Sequence, residues 1–314
     1  MSARSERARS RHTAGAEARL SLDGLSVGDA FGALFFSGRP SPPRLPAGPW
    51  RWTDDTHMAL SVVEVLGAHG CIEQDELARA FARRFADQPF RGYARGAVSL
   101  FRRIGAGADW RTASPVLFNG GSYGNGAAMR AAPIGGFFGN DPERAAREAQ
   151  RSAVVTHAHP EGQAGAVAVA AAAAVAAGRT HPTGGDFLHA VLPFVPHSLT
   201  RQGIELAAGL PAGDLVEAVA QLGTGQSMTA QDTVPFCLWS AAHHLADFEE
   251  ALWWTAKGLG DSDTTCAIVG GIVALSARVI PPAWLASREP LAWSGCGDEP
   301  AITTQPAAAD WRAR

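Results

Sequence analysis

Apolar residues along this chain recur mostly three and four positions apart, the spacing that lines one face of an α-helix. Met58, Ala59, Val62, Val63 and Leu66 form such a face, which predicts a helix starting near Asp54. Phe81 and Phe85 predict a second helix from Gln74 to Ala86, and Val98 with Phe101 a third. The run from Ala164 to Gly178 is apolar all round and mostly alanine, which predicts a close-packed internal helix. Asp232 is expected to cap a helix through Leu238 to Leu245, and Asp247 to start another that Gly258 closes. A long apolar helix is expected from Asp263 through Ile268, Val269, Ile272 and Val273, stopped by Pro281 and Pro282. Alternating patterns that would announce strands are sparse.

The stretches between these helices are irregular. Gly38 to Pro49 is too rich in proline for a helix, and Asn119 to Gly126 is dense in glycine. No fixed-period repeat and no linker between two hydrophobic halves is evident. The expectation is one compact all-α domain over residues 20–285, a disordered leader over 1–19 and a flexible tail over 286–314.

Composition narrows the class. With 46% hydrophobic and 18% charged residues the chain is globular, and a net charge of -3 argues against a general nucleic-acid binder. Arginine carries almost all the positive charge; Lys257 is the one lysine. Four scattered cysteines without a CxxC pair argue against a disulfide framework or a zinc-thiolate site and fit a reducing compartment. The 15 residues from Ala164 to Gly178 fall short of a membrane span, and residues 1–19 lack an apolar signal core. A cytoplasmic protein with no membrane association is expected.

Two acidic clusters stand just before long apolar helices: Thr53-Asp54-Asp55-Thr56 and Asp261-Ser262-Asp263-Thr264. A carboxylate at a helix N-terminus is favoured by the free N–H groups and the dipole, by about 0.3–1 kcal/mol. Capping accounts for one acid per helix. Adjacent acids at two helix starts repel, and a hard divalent cation would resolve that repulsion with oxygen ligands. Thr53, Asp54, Asp55, Asp261, Asp263 and Thr264 offer an all-oxygen shell if the helix starts converge. Such a shell favours magnesium, manganese or calcium over zinc, and four carboxylates suit two ions. Both capping and a metal site remain open at this level.

The glycine-dense loop contains Ser122-Tyr123-Gly124-Asn125-Gly126 and runs on to Arg130. Such a loop lets backbone N–H groups approach an anion or sugar, while Tyr123 can stack and Arg130 can pair with an acid. It also holds a formal GxSxG, but a nucleophile elbow needs a strand before it and an unbroken helix after it. Thr156-His157-Ala158-His159 precedes the alanine helix, where a histidine is structural or a ligand contact. Gly24 and Gly28 are four apart, a spacing that lets two helices pack closely with Asp29 beside them as a supporting partner.

Together these segments resemble the ADP-ribosylglycohydrolase family. The resemblance rests on Gly28-Asp29-Ala30-Phe31-Gly32, Thr53-Asp54-Asp55-Thr56, Gly124 to Arg130 with Pro133, Thr156-His157, and Asp261-Ser262-Asp263-Thr264, in order, over residues 22–284. It implies an all-α fold with a centre for two divalent cations, magnesium or manganese, held by Thr53, Asp54, Asp55, Asp261, Asp263 and Thr264. It further implies that Ser122, Tyr123, Gly124, Asn125 and Gly126 hold ADP-ribose, with His157 shaping the same cleft. The implied reaction is metal-dependent hydrolysis at the anomeric carbon of the distal ribose, with Asp54, Asp55 and Asp263 as catalytic carboxylates. The implied partner is ADP-ribose or an ADP-ribosylated protein or small molecule. The sequence departs from the family at Phe36, where many members carry a glutamate, and at Arg91-Gly92-Tyr93, where some carry an aspartate. These departures keep two alternatives in view: an ADP-ribose-binding or structural protein that has lost the chemistry, and a hydrolase of another N-glycoside or nucleotide.

Overall fold

The computed structural model describes residues 3–35, 45–139, 141–178 and 180–291, with the side chains of 3–12 left out. Its helices are α1 (Ala3–Gly32), α2 (Asp54–His69), α3 (Gln74–Asp87), α4 (Arg95–Gly105), α5 (Trp110–Ala113), α6 (Ala132–Phe138), α7 (Pro142–Val154), α8 (Pro160–Ala176), α9 (Gly184–Val191), α10 (Leu199–Ala207), α11 (Leu215–Leu222), α12 (Ala230–His243), α13 (Phe248–Ala256), α14 (Ser262–Ala277) and α15 (Pro282–Ser287). Pairing between extended segments among the described residues is limited to two isolated bridges, Trp50 with Arg288 and Gly124 with Thr229. The protein is all-α.

The alanine helix α8 is the centre. Its residues are buried on nearly every side, and α6, α7, α12 and α14 all pack on it. Methyl side chains allow that many neighbours to approach one axis. α1 and α14 form the most extensive helix pair. A Cβ at Gly24, Gly28 or Gly32 would overlap the carbonyl oxygens of Gly270, Cys266 and Ser262, so one edge of α1 lies directly on the α14 backbone. Gly32 contacts α14 at its first residue. That placement brings the end of α1 to the acidic start of α14.

Several helix boundaries differ from the sequence expectation. The leader expected over 1–19 is, from Ala3, the beginning of α1. Its anchors are Ala18, fully buried, and Glu17, ion-paired with Arg278. The apolar stripe of this helix begins only near Ala18, so its first turns carry no periodic signal. Asp232 lies inside the first turn of α12, three residues beyond the cap Thr229, and accepts from Ser227 N instead. α14 ends at Ala277 through a left-handed Arg278, before the prolines, and Pro282 opens α15.

The segment expected to become a flexible tail at 286 stays packed as far as the description runs. Trp50 N donates to Ser287 O and Glu289 N to Trp50 O. Arg91 makes a two-armed ion pair with Glu289 at 2.7 and 3.0 Å and lies 3.5 Å above the Trp52 ring. These contacts fix the chain just ahead of α2. Residues 292–314 and Phe36 lie outside the described residues.

Two substitutions in α1 should move stability in opposite directions. Gly28→Ala forces a methyl into the α14 backbone and should cost about 3 kcal/mol. Gly15→Ala meets open space on the same helix and should gain up to about 1 kcal/mol. Urea unfolding of both variants reads the two signs; a Gly15→Ala variant no more stable than the parent would count against a helix there.

Candidate active site

The starts of α2 and α14 meet around the buried carboxylate of Asp29, near the end of α1. Thr53 caps α2 in an extended conformation. Its N–H lies 2.9 Å from Asp29 Oδ2, and its hydroxyl 2.9 Å from Asp29 Oδ1. Thr56 donates its N–H at 3.1 Å and its hydroxyl at 2.5 Å to Asp29 Oδ2. Burial pushes the Asp29 carboxyl up to about 6 despite these four donors.

Asp54, Asp55, Asp261, Asp263 and Thr264 line one cleft of about 390 Å³. The two clusters, some 200 positions apart in the sequence, are therefore brought together. Thr53 is not in the cleft wall; its hydroxyl lies between Asp29 and Asp55, 2.9 Å from an oxygen of each. Burial first, then the charges of Asp29, Asp263 and Asp54, hold the Asp55 carboxyl well above the carboxylate range. Burial and neighbouring negative charge raise Asp54 and Asp263 as well. Asp261 is raised by burial and held back chiefly by Asn125, whose Nδ2 donates to Asp261 Oδ2 at 2.7 Å.

Crowded carboxylates raise one another and can be relieved only by protons or cations. Asp55 Oδ1 is buried without a hydrogen-bond partner. That orphaned oxygen, with the all-oxygen donors of Asp54, Asp261, Asp263 and Thr264, fits hard divalent cations. Among the described residues no three carboxylate, imidazole or thiol groups are gathered as a ready-made shell. The fit is one of charge and donor chemistry, not of fixed coordination geometry.

The same cleft is lined by Ser122, Tyr123, Gly124, Asn125, Gly126 and His157. Asn125 N donates to Met228 O and Ala230 N to Tyr123 O, tying the loop to the start of α12. No strand precedes Ser122, so the GxSxG is not a nucleophile elbow. A Cβ at Gly126 would stand 3.2 Å from His157 Cε1, and one at Gly124 3.5 Å from Nε2, so the imidazole lies against the loop backbone. Thr156 Oγ1 accepts from Arg130 at 2.9 Å and lies 2.7 Å from His157 Nδ1. Burial, then the Arg130 charge, lowers His157 to about 3, so the ring is neutral.

Arg130 itself pairs with no acid, contrary to expectation. Fully buried, it donates to the carbonyls of Gly126 and Ser152 and lies 4.6 Å above the Phe81 ring. It clamps the loop to α3 and α7. The Arg91-Gly92-Tyr93 segment brings backbone to the site: Gly92, at φ +100°, places a would-be Cβ 3.2 Å from Asp54 Oδ1. Tyr93 Oη bonds His57 Nδ1 at 2.8 Å.

Sequence reasoning missed Ser227, Met228 and Thr229, which close the cleft beyond Asn125. Gly223-Thr224-Gly225, with both glycines at positive φ, was the available signal for that turn. Missed too were Ala94, Arg95 and Gly96 at the start of α4, which carry no motif.

No helix among the described residues is long and apolar enough to cross a membrane. A profile described as ADP-ribosylglycohydrolase matches residues 10–301. The chain is 31% identical over 282 residues to an uncharacterized protein of Archaeoglobus fulgidus, covering 83% of this chain and 88% of that one. It is 34% identical over 171 residues to ADP-ribosylhydrolase ARH3 of Gallus gallus, covering 46% of each. It is 36% identical over 119 residues to ADP-ribosylhydrolase ARH3 of Homo sapiens, covering 37% of this chain and 32% of that one. The aligned segments thus span less than half of these two vertebrate relatives. A solved structure described as an ADP-ribosylglycohydrolase-related protein complex superposes with a TM-score of 0.62 at 25% identity, over 88% of this chain and 94% of that chain. With a family profile spanning most of its length, and the family's acidic clusters meeting in one cleft, the chain belongs to the ADP-ribosylglycohydrolase family.

Proposed function

We propose that this protein is a hydrolase that removes ADP-ribose from an acceptor with the help of two divalent cations, magnesium or manganese. The observation that carries the reading is one cleft lined both by aspartates from two helix starts and by the Ser122–Gly126 loop, which Asn125 bonds to Asp261. Family membership and the partial likeness to ADP-ribosylhydrolases support it.

Asp54, Asp55, Asp261 and Asp263, with Thr264 and Thr53, would hold the ions. When bound, the ions supply Lewis acidity toward the ribose hydroxyls and toward water. The chain's own groups do the rest. Cleavage of the bond from the anomeric carbon to the acceptor builds positive charge on the ribose, which Asp54, Asp55 and Asp263 stabilise electrostatically. Water adds its oxygen to that carbon, one of these carboxylates takes the water's proton and passes it on to the departing acceptor, and the carboxylate is regenerated. Asn125 fixes the Asp261 carboxylate. The neutral His157 and the glycines around it suit the pyrophosphate, because they leave room for it without a negative charge or a bulky side chain.

Phe36, where many members of the family carry a glutamate, favours one second reading, ADP-ribose binding without turnover. Calorimetry separates the two: tight ADP-ribose binding by a protein that turns over no ADP-ribosyl substrate supports the binding protein.

The direct test is chromatographic release of ADP-ribose from arginine-, serine- and O-acetyl-linked substrates with magnesium or manganese present. Turnover is expected on at least one, with Asp55→Ala slowing it by on the order of 10²–10³-fold; inactivity on all three sinks the hydrolase reading. Asn125→Ala frees Asp261 and should weaken cation affinity about 10–100-fold, read as a shifted magnesium dependence.

Thermal denaturation reads the cations separately. Magnesium at saturating concentration should raise the Tm of the parent by on the order of 5 °C and leave Asp55→Ala unmoved.

Acid stability follows from His157. Its folded pKa of about 3 lies below the ordinary 6.5, so the unfolded chain binds the extra proton between these values. Its contribution is complete above pH ~6.5 and declines as pH falls toward 3. His157→Gln should flatten that part of the stability profile measured by urea unfolding.

A further inference from the structure

The outer face of α4 is not used by the proposed chemistry. Leu100 and Phe101 bury the inner face of this helix, while Arg95, Ser99, Arg102 and Arg103 are exposed on the other. With Tyr93 and Val98 these four residues line a shallow groove of about 440 Å³. Among the described residues no carboxylate forms an ion pair with any of the three arginines. Most other surface arginines have one: Arg79, Arg83, Arg84, Arg111 and Arg147 are paired at 3.3 Å or less.

The groove joins the cleft. Arg95 lines both, and a Cβ at Gly96, the next residue, would lie 3.0 Å from the Phe118 ring at the cleft mouth. Arg95 and Arg102 are two helical turns apart, about 10 Å. An extended polypeptide covers that distance in about three residues.

We propose that the arginine face of α4 is a docking surface for an acidic segment of the polypeptide that carries the scissile ADP-ribosyl group. Guanidinium forks without internal partners match carboxylates in pairs. Val98 and the half-buried Tyr93 add apolar surface between them, which suits a peptide of mixed acidic and apolar side chains. A nucleic acid would instead call for a long basic track, and a chain of net charge -3 repels a polyanion beyond the groove. The proposal names the acceptor class for the hydrolase reading and rests on it for its kinetic consequence alone.

Two measurements on the full chain test it. In the first, a fluorescein-labelled extended peptide with glutamate at every third position is titrated by fluorescence anisotropy. The parent should bind, more tightly at low salt, and Arg95→Gln/Arg102→Gln/Arg103→Gln should bind about tenfold more weakly. Equal binding by parent and triple variant, no binding by the parent, or tighter binding of single-stranded DNA than of the peptide overturns the docking surface.

In the second, Arg102→Gln/Arg103→Gln, both outside the cleft, is assayed for hydrolysis. KM for an ADP-ribosylated acidic peptide should rise severalfold while kcat/KM for a small ADP-ribosyl acceptor stays that of the parent. An equal loss on both substrates overturns the proposal. Failure of the parent to hydrolyse either substrate removes the hydrolase reading and leaves anisotropy as the deciding measurement.

Discussion

Asp29 holds the site together. Its buried carboxylate takes donors from both Thr53 and Thr56 and so pins the first turn of α2 to the end of α1. The same stretch of α1 carries Gly28 and Gly32, which lie on the first residues of α14. One short piece of helix therefore sets where both acidic starts stand. Charge-assisted hydrogen bonds are worth about 1.5–3 kcal/mol each. They oppose, without cancelling, the desolvation that raises Asp29. The remaining aspartates are forced into a proximity that none of them would choose alone. Packing energy is thus spent on concentrating negative charge, which the cations of the proposed function would neutralise.

The features legible in the sequence are the local ones. Thr53 before Asp54-Asp55 and Asp247 before Phe248 mark helix starts because capping is decided within four residues. The alanine run marks α8 because it is apolar on every side. Gly24 and Gly28 announce a close helix contact, and α14 is the partner. What stayed hidden depends on distance along the chain. Asn125 reaches Asp261 across 136 positions, and no local pattern encodes that bond. Arg130 looked like a partner for an acid because it follows the loop; its partners are carbonyls and the Phe81 face, which only packing brings near. The first turns of α1 were hidden for the opposite reason: helix-forming residues without an apolar stripe read as a leader.

The loop that faces the aspartates owes its shape to buried polar groups. Arg130 holds Gly126 from below, Thr156 links Arg130 to His157, and His157 lies against the backbone of Gly124 and Gly126. The guanidinium is fully buried, a costly placement unless its donors are satisfied. Two carbonyls, a hydroxyl and an aromatic face meet most of that need. The arrangement keeps positive charge behind the loop and leaves a neutral imidazole in front of it. An anion in the cleft would thus meet a neutral ring and a screened cation, while the aspartates that share the cleft repel it unless they are themselves neutralised.

That opposition organises the whole cleft. Acids and an uncharged glycine loop with His157 line the same cleft, and arginines without an ion pair among the described residues continue along α4 from the shared Arg95. A net charge of -3 averages this pattern away. A ligand with a phosphate-rich body and an acidic attachment cannot sit with its charges against the aspartates. On the proposed function it would be steered so that phosphates face the glycine loop, the uncharged ribose faces the carboxylates, and the attachment leaves past α4. Electrostatic fields in a low-dielectric cleft act over several ångströms and strengthen as water is excluded. Orientation would thereby be imposed before any single hydrogen bond forms, with the bond that the proposed hydrolase breaks left beside the carboxylates.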